Sequence, residues 1–280
     1  MRLFCAAIGV ALAAALAVTP AWSAEATFTR DLTVNGRVDL TVTTGSGSIH
    51  LTPGPPGHVH IIGRVRANWG NRDEDVQGIA AHPPIEQTGN IVRIGVHREM
   101  PRNTGIDYEI QVPPDTFLKA SAGSGSVTDD GVGADAKLST GSGFIRAIGL
   151  QGSFSLSTGS GSIYGEQVGT GDVTARTGSG PIELKNLHGG LLAHTGAGSI
   201  KASGIPAGPW RIDAGAGSVE LWTGNAAFTL NAQAGMGGVH CDREIAGEGA
   251  RDRHRLVGKI GSGDGPSVRI ETGTGSIRIH

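Results

Sequence analysis

Glu183 and Glu220 occupy equivalent places in an internal repeat, two units apart. Carboxylates facing each other across a glycosidic bond can serve as acid and base, or acid and nucleophile, so this pair is a candidate for polysaccharide cleavage. His58 and His60 would share a strand face and could chelate a metal ion, with His50 or His97 as third ligand. Arg243, Arg251, Arg253 and Arg255 crowd with His254 into one short stretch and are candidate contacts for an anionic envelope surface. Cys241 is a candidate reactive thiol. A recurring Gly-x-Gly string invites comparison with phosphate-cradling loops.

The neighbouring residue types argue against most of this chemistry. A dinucleotide loop needs a third glycine and a following helix. Its place holds His50, Thr128, Arg146, Tyr164, Lys201, Glu220 or Arg278, and no helical periodicity follows. Neither a Walker sequence nor a Gly-x-Ser-x-Gly elbow occurs. Calcium-binding solenoids place Asp after their glycines, and only Gly261-Ser-Gly263-Asp264-Gly265 approaches that form; the other units have Ser, Phe or Pro there, or Gly at Gly238. Glu183 and Glu220 would lie ~10 Å apart along a stack of strands. That is the wide end for an inverting pair, and Lys201 between them favours a solvated charge ladder. His58 and His60 lack an accompanying cysteine or paired acid and read as surface histidines of an edge strand. Cys241 falls where other units have Ala, Leu or Ile, as a small buried hydrophobe would. No catalytic, cofactor-binding or metal-ligating residue is therefore assigned, and the four arginines are the candidate surface contact. A carbohydrate-active β-helix enzyme, lyase or glycosidase, is the alternative to a non-enzymatic protein.

The elements that must carry these residues follow from the repeat itself. Gly-x-Gly preceded by a small residue and followed, one residue on, by Ile or Val starts at Gly45, Gly123, Gly141, Gly159, Gly178, Gly196, Gly215, Gly235 and Gly273, with a period of 18–20 residues from Gly123 to Gly235 and two such lengths before Gly273. Taking the residue before the first glycine as position zero, positions minus four, minus two and zero read Ala136, Leu138, Thr140, then Phe154, Leu156, Thr158, then Val173, Ala175, Thr177. This period of two specifies a strand with those side chains facing inward. The position-zero threonines then point inward, where their hydroxyls can pair with adjacent coils. Beyond the glycines the parity changes, because the next apolar residue sits at plus five (Ile145, Ile163, Ile182, Ile200). An odd step between two strands sharing one interior requires a bend, which glycine permits. Further inward positions fall at plus seven (Ala147, Leu184, Ala202) and plus ten (Val132, Leu150, Val168, Leu187, Ile205). The pattern predicts an all-β, predominantly parallel β-solenoid of about ten coils, without any helix beyond the leader.

Residues 1–24 read as a signal peptide: Arg2, a 13-residue uncharged run from Ala6 to Val18, Pro20 and small residues before a cleavage site. A spanning helix needs ~20 apolar residues, so no transmembrane segment is expected in the mature chain. Residues 25–117 read as irregular N-terminal β coils with an insertion at 67–84, and 118–280 as the regular solenoid with a projecting loop at 242–255. Forty-seven glycines and 4% aromatic residues do not fit an ordinary globular core, and a formal charge of −2 gives no general attraction to nucleic acid. After cleavage only Cys241 remains, so no internal disulfide forms.

The run Tyr108-Glu-Ile110-Gln-Val112-Pro113 leading to Leu118, the Thr-Gly-Ser-Gly-x-Ile coils from Gly123 to Gly198, and the ending Gly265-Pro-Ser-Val-Arg-Ile-Glu-Thr-Gly-Thr-Gly-Ser-Ile-Arg-Ile279 resemble a bacterial family of β-strand-repeat proteins. These are exported domains of unknown function that carry the label "putative adhesin". The resemblance implies an exported solenoid without a catalytic motif, and it transfers no site residue. The expectation is a scaffold or adhesin-like module of the periplasm, cell surface or medium, without cofactor. It would bind an envelope polysaccharide or protein as a monomer or through end-to-end self-association.

Overall fold

The computed structural model describes residues 25–67, 73–95, 104–246, 252–261 and 264–280. The leader, His97 and Arg251 lie outside them. Strand accounts for 69% and helix for 3%, in a long sheet of many strands that does not close into a barrel. Each coil contributes one strand before its Gly-x-Gly and one after it, and equivalent strands of successive coils pair in parallel. Leu138 lies beside Leu156, Leu156 beside Ala175 and Ala175 beside Ala193, all fully buried. On the opposite wall Ile145, Ile163, Ile182 and Ile200 form the facing ladder. The core is thus two stacked apolar columns closed by a glycine corner.

That corner explains the motif. A Cβ on Gly123 would stand 2.5 Å from the carbonyl oxygen of Gly45 in the coil below, and one on Gly125 would stand 2.0 Å from that of Gly47. The second glycine also has φ near +145°, where L side chains are strained. The inward threonines close the same corner, as their parity predicts. Thr140, Thr158, Thr177 and Thr195 donate their hydroxyls to the carbonyls of Gly125, Gly143, Gly161 and Gly180, at 2.7, 3.1, 3.0 and 3.0 Å. Thr158→Val, which keeps the shape and removes the donor, should cost about 1–3 kcal/mol. Exposed Ser157→Val should cost almost nothing, and equal urea midpoints for the two variants would contradict this role of the ladder.

The order of the coils departs from the order of the chain. Trp210, Ile212 and Ala214 pair with Val268, Ile270 and Thr272, and Leu230, Ala232 and Ala234 pair with the other edge of that strand. The Gly273 coil is therefore inserted between the Gly215 and Gly235 coils. The two coil lengths between Gly235 and Gly273 are spent on strand Arg255–Ile260, which runs antiparallel along the outer edge of Phe228–Met236. The opposite end repeats the device. Strand Asp39–Ser46 lies on Phe117–Ser124 with one edge and on Ile91–Ile94 with the other, while Glu25–Thr33 and His58–Ala67 add antiparallel strands outside Thr104–Val112. Antiparallel strands at both ends occupy edges that a bare parallel stack would leave open.

Three expectations are corrected. A helix, α1 (Asp73–Ala81), stands where none was expected; it packs on Glu25–Thr33 and His58–Ala67, with Val76 and Ile79 buried. Val168 and Ile205, expected inside at plus ten, are 64% and 51% exposed, whereas Val132, Leu150 and Leu187 are buried. Bulges shift the register between Ala147 and Leu150 and between Leu184 and Leu187, and buried Gln167 pairs with Leu150. Finally, the described part of 242–255 does not project freely. Ala234 and Val239 donate backbone N–H groups to the carbonyls of His254 and Arg253, fastening that stretch to the terminal coil. Among the described residues no helix is long and apolar enough to cross a membrane.

Candidate functional site

The outward side of the first-strand wall carries an open groove of about 570 Å3 that crosses five coils. Period-two alternation places Asp39, Phe117, Asp135, Ser153 and Asp172 in one outward row and Thr41, Lys119, Lys137, Ser155 and Thr174 in the next. Phe117 is 45% exposed, and the Arg37 guanidinium lies over its ring at 3.4 Å from the centroid. Arg37 is held by donating from Nε to the Asp115 carbonyl at 2.7 Å, so aromatic face and cation form one fixed unit. Asp135 and Asp172 accept the N–H groups of Ser153 and Gly190 in the following coils, at 3.2 and 2.8 Å. The lysine row beside them gives the groove two rows of opposite charge, suited to an extended polar partner.

Apart from His97 and Arg251, which lie outside the described residues, the main candidates from the sequence take definite places. Glu183 and Glu220 stand two coils apart with Lys201 between them; Lys185 pairs with Glu183 at 2.9 Å, and Lys201 and Arg278 approach Glu220 at 3.4 and 3.8 Å. They form the solvated ladder. His60 pairs with Asp31 at 2.5 Å and His50 with Asp130 at 3.0 Å, and among the described residues no group of three His, Cys, Asp or Glu is placed to hold a metal. Cys241 is partly buried against the core. Arg243 is tied inward, donating from Nη1 to Thr223 Oγ1 and the Ala226 carbonyl at 3.2 and 2.8 Å. Arg253 and Arg255 are exposed along the terminal coil.

Two features escaped the sequence. Inserting the last coil sets Glu271 beside Asp213 on a cavity of about 400 Å3 that His194 and Gln233 also line. Each of these carboxylates is occupied by the arginine two residues earlier in its strand, Arg211 at 3.0 Å and Arg269 at 2.7 Å. The other is Asp129, fully buried at the inward plus-seven position between Leu51 and Ala147. Its Oδ1 accepts the Val132 N–H at 2.9 Å, and its Oδ2 has no partner among the described residues. Burial pushes its pKa up to about 8, helped by the neighbouring Asp130 and opposed by the Val132 hydrogen bond. Counting seven residues from Ala122 would have found it.

The sequence profile described as Toastrack DUF4097 matches residues 99–280. A putative adhesin from Bacteroides fragilis NCTC 9343 is 15% identical, with 91% of this chain and 97% of that one covered, at a TM-score of 0.30. A putative cell adhesion protein from Clostridium sporogenes ATCC 15579 is 14% identical over 91% and 98%, at 0.25. A putative adhesin from Parabacteroides distasonis ATCC 8503 is 11% identical over 91% and 97%, at 0.33. No curated protein matches the chain.

Proposed function

Because the chain belongs to the Toastrack DUF4097 family, we propose that it acts as an exported, adhesin-like binding module of the cell envelope, by surface contact rather than by catalysis. Export rests on the order of charge, apolar run and small residues in 1–24. The groove across five coils carries the reading: its rows repeat at the ~4.8 Å strand spacing, so an extended polysaccharide or polypeptide can meet successive coils in register. Phe117 under Arg37 supplies an apolar anchor, and Lys119 and Lys137 supply charge.

The test is capture of envelope material by mature protein. Phe117→Ala combined with Lys119→Ser and Lys137→Ser should cut retention roughly tenfold, the loss of one hot-spot contact or more, without moving the thermal midpoint. Unchanged capture would reject the groove. Arg251, Arg253 and Arg255 make a second, salt-sensitive contact in this reading, and their replacement by serine is a separate arm. A carbohydrate-active enzyme is the competing reading, favoured by the cavity holding Asp213 and Glu271. Release of reducing sugar from envelope polysaccharide, lost in Glu271→Gln, would establish it.

A further inference from the structure

A second cavity, of about 530 Å3, opens on the wall opposite the groove, between the strand that begins at Ile200 and the turn that follows Trp222. We infer that it is a binding site for a neutral pyranose, distinct from the groove and independent of the groove's role. Its volume falls within the ~300–1,000 Å3 of small-molecule sites.

The lining has the two-sided chemistry that a sugar ring requires. Trp222 and Ile205, 38% and 51% exposed, are among the large apolar side chains left open to solvent, and both line this cavity. The Trp222 ring is set in place from behind. His280 stacks on it with centroids 5.1 Å apart and planes 11° apart, and His280 is itself fixed by Asp242 at 2.7 Å. One ring face is thereby used, and a platform held in one orientation loses little freedom on binding. The C–H face of a pyranose is the apolar surface that fits such a ring.

Neutral hydrogen-bonding groups complete the rim. Asn225 makes no hydrogen bond among the described residues, so its amide can both donate and accept. His188 Nδ1 lies 3.1 Å from the Asn186 carbonyl, which can only accept, so Nδ1 is the donor of that contact and Nε2 is left for a ligand hydroxyl, which can both donate and accept. Asn186 donates from Nδ2 to Glu166 at 3.3 Å and keeps its Oδ1. It is also the one non-glycine residue with positive φ among those described, +56°, at the bulge between Leu184 and Leu187. An unusual backbone at a bulge commonly re-aims a side chain. The paired position beyond it is Gly204, where a Cβ would meet the Leu187 carbonyl at 2.2 Å, so that wall has no side chain to fill the space.

Charge selects among ligands of this size. No Asp, Glu, Lys or Arg is among the described residues that line the cavity. Arg243 reaches the lining only through Thr223 and the Ala226 carbonyl, to which its guanidinium is already bonded, and Glu166 meets Asn186; the phosphate of a nucleotide or the carboxylate of a uronic acid would find no cation among the described lining residues. A neutral hexose or N-acetylhexosamine brings neither.

Saturation-transfer difference NMR with the methyl glycosides of glucose, galactose, mannose and N-acetylglucosamine tests the site on the full mature chain. At least one should bind saturably in the millimolar range, with transfer strongest at the C–H groups of one ring face. Trp222→Ala should weaken that binding roughly tenfold or more, but this ring also stacks on the last coil. Asn225→Ala, an exposed turn position, keeps the fold and should weaken it severalfold. Lys119→Ser and Lys137→Ser should leave it unchanged, which separates this site from the groove. No saturable binding by any of the four glycosides, or binding indifferent to both Trp222→Ala and Asn225→Ala, would overturn the inference.

Discussion

Asp129→Asn should make the folded chain more stable at pH 8 and remove most of the fall in stability between pH 4 and pH 8. The carboxyl ionises near 3.8 in the unfolded chain and near 8 in the folded one, because burial between Leu51 and Ala147 disfavours the anion. Between those values the folded state holds a proton that the unfolded state has released. Stability therefore decreases as pH rises through this window and is level above it. A tenfold change in the acid constant is worth about 1.4 kcal/mol, so the full effect is on the order of 5 kcal/mol. Asparagine keeps an oxygen for the Val132 N–H and cannot ionise. The contact between His50 and Asp130 is common to both proteins, so the difference between the two stability curves isolates residue 129. Urea unfolding at several pH values supplies both curves; parallel curves would show that Asp129 is not a buried acid of this kind.

Gly180→Ala should cost more than about 3 kcal/mol or abolish soluble expression, whereas Gly89→Ala should cost about 1–2 kcal/mol. Both glycines have positive φ, +136° and +59°. They differ in what surrounds them. A Cβ on Gly180 would stand 2.1 Å from the Gly161 carbonyl oxygen in the coil below, while one on Gly89 meets nothing within 4 Å. The Gly161 carbonyl also accepts the Thr177 hydroxyl, so it cannot move aside without breaking the inward ladder. A φ of +59° is the left-handed helical well that L residues can enter, whereas +136° is a region essentially confined to glycine, so strain and close approach both make Gly180→Ala the costlier change; equal urea midpoints would contradict this role of the glycine corner.

The candidate contacts were legible only in part. The ladder of Glu183, Lys201 and Glu220 was visible because all three share one register position. Charge and spacing alone made Arg243 look like the other arginines of its stretch; only packing shows that its guanidinium serves Thr223 and Ala226. Val168 and Ile205 were placed inside by extending the register past the bulges that break it. The sugar cavity depends on that same break. The spacing of Asn186, Ile205 and Trp222, about one coil each, sets them on adjacent coils; only the bulge between Leu184 and Leu187 leaves Ile205 outside to line the cavity with Trp222 and Asn225.

Local geometry is what a repeat writes into a sequence. Period-two side chains, an odd step across Gly-x-Gly and threonine at position zero determined by themselves that the chain forms β coils with glycine corners, because each is a constraint within one coil or between identical neighbours. Coil order is another matter. The stretches from Val268, Trp210 and Leu230 present the same alternation, so any of them could stack on any other by pattern alone. Only the tertiary structure decided that the Gly273 coil enters between the Gly215 and Gly235 coils. The physical reason lies in the edges. Strand Arg255–Ile260 folds back antiparallel on the outer edge of Phe228–Met236, leaving the inner edge of that strand to pair with the last coil.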